Sequence, residues 1–420
     1  MRTLVHVTHE AVHKYGGIGA VLEGLLTSGP YRAVAQRTIL IGPASVEQLT
    51  NGERHKLPID VLYSSIENIS QHPNSALLDR ICHDFRVHIV YGHREFVDPH
   101  SGVRVTPEVV LIDVSAANLD RVNAFKARLW REFQLDSRPY EHIWDYELFV
   151  RLAEPARAVL NALGAADFGN ECVVFAHEFM GLPTALAAKM DPKGTYRTIF
   201  HAHEVSTIRQ IVESHSGHDL TFYNLMSKTL GRGLSIEEFF GPRDDYYRHA
   251  LVKNSWHCDR IFAVGDYVLQ ELRFLGPSFA GAPIEIIYNG IPSEKISLEQ
   301  KQISRRLLQD YAENLLGYRP DHIFTHVTRM AVSKGLWRDL QVLGHIDEEF
   351  RRTGKTGVFF VLSTEIGPRR PADIHDMERW WKWPLVHREV TPDLSSGEAL
   401  FYQGVQEFNA RAQKIKVVFV

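Results

Sequence analysis

Two short segments put histidine beside glutamate directly after an apolar run: Ala176-His177-Glu178-Phe179 and His201-Ala202-His203-Glu204. Imidazoles in such places exchange protons near neutral pH, hydrogen-bond substrate hydroxyls or ligate metals. His-x-His at a strand end is a ligand arrangement, so one reading makes His177, His201 and His203 a metal centre for hydrolysis. Against it, the segment after His177 lacks the second histidine of H-E-x-x-H, and no Asp-x-His follows Glu204. A satisfied core histidine is the plain alternative for His177.

Two loops add phosphate chemistry. Lys14-Tyr15-Gly16-Gly17-Ile18-Gly19 lies between a strand and a helix, where glycines let backbone N–H groups approach an anion and the helix N-terminus favours negative charge. It is neither a Walker A loop, because Lys14 precedes the glycines, nor G-x-G-x-x-G, because Leu22 holds the third glycine position. A tight turn without ligand fits it equally. The second loop, Thr328 to Gly335, carries Arg329 and Lys334 after an apolar run and before a helix. Ligands gather at the carboxyl ends of strands in open α/β sheets, so two cations here can clamp a diphosphate. A solvated loop with two surface cations is the alternative.

The elements that position these residues alternate short apolar runs with helical periodicity, the pattern of βαβ units and a parallel sheet. Strands are predicted at Thr3–Thr8, Arg37–Ile41, His88–Tyr91, Val109–Val114, Cys172–Ala176, Thr198–Ala202, Arg260–Val264 and Ile284–Ile287. Apolar residues at 18, 21, 22, 25 and 26 predict a helix opening at the first glycine loop. The turn residues Asn289-Gly290 and Pro292 mark a boundary, giving domains 1–295 and 296–420. The second domain repeats the scheme with a helix at Leu298–Leu316, a strand at 322–328, the basic loop, a helix, and strands at 358–364 and 415–420. A Trp-rich helix or loop, 377–387, lies between those last two strands.

At 420 residues the chain is too long for one core. With 44% hydrophobic and 23% charged residues it has enough apolar surface to fold. A net charge of -4 gives no overall basic surface for nucleic acid, and no 18-residue apolar stretch suggests a membrane span. Three scattered cysteines point to a reducing compartment, so a cytoplasmic location is expected.

Taken together, the motifs resemble the glycogen and starch synthases. Lys14 to Gly19 matches the K-x-G-G-[LI] loop, and VVFAHEFMGLPTALAAK, IFHAHE, IIYNGI and the R-x4-K-G of TRMAVSKG follow in family order. FYNLM, YYRHALVKNSWHCDRIFAV and GVFFVLSTEIGP resemble the animal and fungal members, so the chain mixes features of both groups. The resemblance implies the GT-B architecture, two Rossmann-like domains with parallel sheets facing across a cleft. It further implies a retaining glucosyltransferase carrying glucose from ADP-glucose or UDP-glucose to the non-reducing end of an α-1,4-glucan. By resemblance, His177, Arg329 and Lys334 are catalytic: His177 lies beside the sugar and the two cations neutralise the diphosphate. Lys14, Gly16, Gly17, Gly19, His203, Glu204, Asn289, Gly290 and Gly335 would contact donor or acceptor. Neither metal nor other cofactor is implied; the nucleotide sugar is a substrate.

Two departures stand out. Glu204 takes a place where bacterial-type members commonly carry asparagine, and the family's E-x7-E segment is not found downstream of Lys334. The second domain is therefore expected to be incomplete and the activity of this chain alone to be doubtful. A non-catalytic glucan- or nucleotide-sugar-binding protein is the rival reading, and the histidine-ligated metallohydrolase the weaker one.

Overall fold

The computed structural model describes residues 2–12, 17–44, 58–98, 101–167, 171–215, 217–290, 295–363 and 394–419. Lys14, Gly16 and the Trp-rich segment lie outside the described residues. The chain forms two compact units, Met1–Arg209 with Tyr223–Pro292, and Gln210–Phe222 with Ser293–Val420. Among the described residues no helix is long and apolar enough to cross a membrane.

In the first unit the strands are β1 (Arg2–Val7), β2 (Arg37–Pro43), β3 (Asp60–Ser64), β4 (Ile69–Ser70), β5 (His88–His93), β6 (Phe96–Val97), β7 (Arg104–Val105), β8 (Glu108–Asp113), β9 (Glu171–His177), β10 (Tyr196–Ala202), β11 (Arg260–Ala263) and β12 (Ile284–Ile286). Ten of them form one sheet in the order β12-β11-β10-β9-β1-β2-β8-β5-β3-β4, and β6 pairs with β7 apart from it. From β12 to β8 every pairing is parallel. Helices cover both faces of such a sheet, which is why β1, β2 and β8 read as unbroken apolar runs instead of alternating ones. At the far edge the expected parallel sheet gains antiparallel strands, β5 running antiparallel to β8, β3 to β5 and β4 to β3.

The first helix, Gly17–Thr27, buries Ile18, Leu22 and Leu26, as the apolar spacing requires. Helix Glu178–Lys189 lies so close to the sheet that a Cβ on Gly181 would stand 2.5 Å from the Cα of Ala176 and 2.8 Å from the carbonyl oxygen of Val7. Glycine is therefore needed there for the approach of helix to strand.

The second unit contains β13 (His322–Thr328), β14 (Gly357–Ser363) and β15 (Ile415–Phe419), paired in parallel in that order. Successive residues point to opposite faces. Phe359, Val361, Val417 and Phe419 pack with Leu343, Phe350, Val405 and Phe408 from helices Leu336–Thr353 and Ser396–Arg411. Val358, Phe360 and Val418 pack with Tyr311 and Ala312 of helix Leu298–Leu316. The buried Asp347 carboxylate accepts from the N–H groups of Gln413, Lys414 and Ile415 at 2.9, 2.6 and 3.1 Å, fixing the start of β15.

Candidate functional site

β1, β9 and β10 are neighbours in register: His6 lies opposite Phe175, and His177 opposite His201. Phe175 and His177 are two residues apart, so the pleat places both on one face with His6 and His201. Four imidazoles consequently meet at the carboxyl ends of three parallel strands, where α/β sheets bind ligands. His6 Nδ1 is 2.9 Å from His177 Nε2, and His177 Nδ1 is 2.9 Å from His203 Nε2. Behind them His6 Nε2 is 2.9 Å from the Tyr31 hydroxyl, which lies 3.0 Å from Thr38 Oγ1.

A neutral imidazole has one donor and one acceptor nitrogen, so this chain is satisfied only when every ring points its proton the same way. Burial keeps the rings neutral. It holds His6 down to about 3, helped by His201, and His201 down to about 4. His203 falls to about 3 through burial and then His201, and His177 is pushed well down by burial and the charges its three neighbours would carry. His201 packs ring to ring with His203 at 4.3 Å and His177 at 5.1 Å, yet neither of its nitrogens has a hydrogen-bond partner.

Glu178 turns the chain from β9 into the helix with φ +57, a left-handed conformation costly for a residue with a side chain. Its buried carboxylate accepts from the backbone N–H groups of His203 at 2.5 Å and Glu204 at 2.7 Å, tying the two histidine segments together. Burial first and the nearby Glu204 second push the Glu178 carboxyl well up, against the pull of those two donors.

Among the expected site residues, His177 is enclosed by this geometry. The ring is fully buried and both nitrogens are taken, whereas His203 is half-buried at the open end of the chain. The Gly19 N–H donates to Glu10 Oε2 at 3.0 Å. Gly17 is exposed at the helix start, Glu204 is half-buried, and Asn289 and Gly290 are exposed just after β12. In the second unit Arg329 and Lys334 are exposed in the loop after β13, and Gly335 at φ +74 closes the short turn Val332–Lys334 before the next helix.

The sequence did not reveal His6, Tyr31 or Glu178 as site residues. Nor did it reveal a buried cluster in which Arg209 Nη2 donates to the Tyr223 hydroxyl at 2.6 Å and to Glu271 at 2.8 Å. A histidine inside the otherwise apolar β1 was the available signal for His6. Two sets of side chains have metal-ligand spacing among the described residues: His177, His201 and His203, and Glu237, Asp244 and His249. The latter already holds a cation, since Lys253 Nζ is 2.6 Å from Glu237 and 3.6 Å from Asp244.

No family model matches the sequence, and no curated protein matches it. Solved structures do. An E. coli structure described as trehalose-6-phosphate bound with UDP-2-fluoro glucose is 11% identical, covering 100% of this chain and 73% of that one, with a TM-score of 0.45. The catalytic domain of starch synthase IV from Arabidopsis thaliana, bound to ADP and acarbose, is 14% identical over 100% and 74%, with a TM-score of 0.45. A UDP-forming trehalose-phosphate synthase from Burkholderia xenovorans is 12% identical over 99% and 72%, with a TM-score of 0.46.

Proposed function

We propose that this protein is a retaining GT-B glucosyltransferase that moves glucose from ADP-glucose or UDP-glucose to the non-reducing end of an α-1,4-glucan. The supporting observation is positional. Residues of four separate sequence motifs fall at or just after carboxyl ends of parallel strands, His177 on β9, His203 after β10, Asn289 after β12 and Arg329 after β13, and Gly17 of a fifth opens the helix that follows β1.

Breaking the bond between glucose and the diphosphate builds negative charge on the nucleotide and positive charge on the sugar. In this reading Arg329 and Lys334 stabilise the first as fixed cations, so no metal is needed. His203 offers the imidazole that meets a sugar hydroxyl. His177 acts through it as a positioning residue, holding its ring and tautomer, while Glu178 fixes its backbone. Lys14 and the Gly16–Gly17 backbone contact phosphate or acceptor.

The test is incubation of the purified chain with labelled ADP-glucose or UDP-glucose and glycogen. Binding of ADP-glucose or UDP-glucose, unaffected by EDTA and weakened in Lys334→Ala, is expected, and incorporation into glucan would complete the proposal. Nucleotide-sugar binding without incorporation would make the chain a binding protein, and absence of binding to either donor would refute the proposal.

A further inference from the structure

Three tryptophans of the first unit, Trp130, Trp144 and Trp256, leave 49%, 51% and 39% of their surface in water. Large rings left in water do nothing for stability, and apolar groups gathered in one place with a polar rim mark a binding site. These three are gathered. Two hollows of about 640 and 610 Å3 adjoin, sharing Trp130 and Asp136 in their walls. Trp256 lines the larger, and Arg151 of the smaller lies 5.3 Å over the Trp144 ring. The place is remote from the histidines. Trp256 and His257 belong to the turn Ser255–His257 just ahead of β11, and Pro277–Phe279, in the same wall, comes just ahead of β12. Those are amino ends of parallel strands, whereas His177, His203 and Asn289 stand at or after carboxyl ends.

We propose that this double hollow is a second carbohydrate site, which binds an α-1,4-glucan chain along Trp256 and Trp130 and keeps the polymer at hand while its end reacts elsewhere. That the ligand is an uncharged sugar chain follows from the walls; naming it an α-1,4-glucan rests on the transferase reading.

A pyranose ring carries C–H groups on its faces and hydroxyls around its rim, so it is bound by flat aromatic faces with polar groups beside them. The aromatic part is held in place beforehand: the Trp256 and His257 rings lie 3.8 Å apart, and His257 lies 4.8 Å from Phe133. A stacked tryptophan with two side-chain torsions loses little entropy on binding. The polar part carries matched charges. Each carboxylate lining the hollows stands in an ion pair, among them Asp136 with Arg138 at 2.7 Å, Glu141 with Lys126 at 3.1 Å and Glu237 with Lys253 at 2.6 Å. Matched pairs offer no net attraction to a nucleotide or a charged peptide, yet their oxygens and N–H groups accept from and donate to hydroxyls. The size is that of a ligand site, and because Trp130 belongs to both hollows, a chain that fills the two must cross it.

The full chain is run in native gels with and without glycogen, and titrated by calorimetry with maltose, maltoheptaose and a proline-rich peptide. Glycogen should retard the wild type, and maltoheptaose, which reaches both hollows, should bind about tenfold more tightly than maltose. Trp130→Ala and Trp256→Ala should each weaken maltoheptaose about tenfold, with most of the affinity restored in Trp256→Phe, which keeps a stacking face. Urea midpoints of the variants check folding. Binding of ADP-glucose and UDP-glucose should be equal in wild type and variants, and this separates the two readings. Tryptophan-dependent binding of maltoheptaose by a chain that takes neither donor would refute the transferase and leave the second site standing. No binding of maltoheptaose, equal affinity for it in wild type and both alanine variants, or tighter binding of the proline-rich peptide than of any sugar would overturn the proposal.

Discussion

Acid should destabilise the first unit well before its carboxylates titrate, because the buried imidazoles must stay neutral in the fold. An unfolded histidine has a value of 6.5, whereas His201 is held to about 4 and His6 and His203 to about 3. Below 6.5 the unfolded chain therefore binds more protons than the folded one. Stability falls as pH drops through 6.5 and stops falling only below the folded values. Between about pH 8 and pH 5.5 each such imidazole costs about 1.4 kcal/mol. His6, His201 and His203 together give roughly 4 kcal/mol, against a typical net stability of about 5 to 15 kcal/mol. Glu178, pushed up by burial, works in the opposite direction, so the comparison is made against His201→Phe, which keeps Glu178. Urea titrations at both pH values should show wild type losing about 1.4 kcal/mol more than the variant. The variant should also match or exceed wild type near pH 8, having shed two unpaired nitrogens. Equal losses in the two proteins would refute the claim that burial suppresses protonation of His201.

Arg329→Ala should weaken ADP or UDP binding by about 10 to 100-fold in calorimetry, the worth of one charge-assisted contact. Unchanged affinity would remove Arg329 from the diphosphate site. Gly181→Ala drives a Cβ into the backbone of β9 and β1 and should cost about 3 kcal/mol, read as a lower denaturation midpoint without a change in slope. Asp347→Ala leaves three backbone donors at the start of β15 without their carboxylate, for about 2 to 3 kcal/mol in the second unit, measured by hydrogen exchange at Gln413, Lys414 and Ile415.

The parallel part of the sheet was legible because strands buried on both faces are written as apolar runs, and all eight strands expected in the first unit are present. β3 was missed because its start is only partly buried, and β4, β6 and β7 are two residues each, too short for any periodicity. The antiparallel edge was illegible for a different reason. Direction depends on how the chain crosses between β5 and β8, and the β6–β7 ribbon there is too short to announce that crossing. At the site, the motifs located His177 and His203 but not their partner. His6 lies 171 positions from His177, and only the pairing of β1 with β9 brings them together. The left-handed turn at Glu178 is likewise set by tertiary hydrogen bonds, not by local preference.

The place of β1 in the middle of the sheet has a consequence for how the protein is made. β1 leaves the ribosome before both its neighbours and finds β2 within about forty residues, but its other neighbour, β9, begins only at Glu171. At about 5 to 20 residues per second, one edge of β1 waits roughly ten to thirty seconds for its mate. During that time β2, β8, β5, β3 and β4 can assemble on one side, and β9 to β12 then extend the sheet on the other in simple chain order. His6 belongs to the early half, His177, His201 and His203 to the late one. The imidazole cluster is thus the seam where two successively synthesised halves of the sheet meet, and a translation pause between residues 113 and 171 would leave it open in the nascent chain.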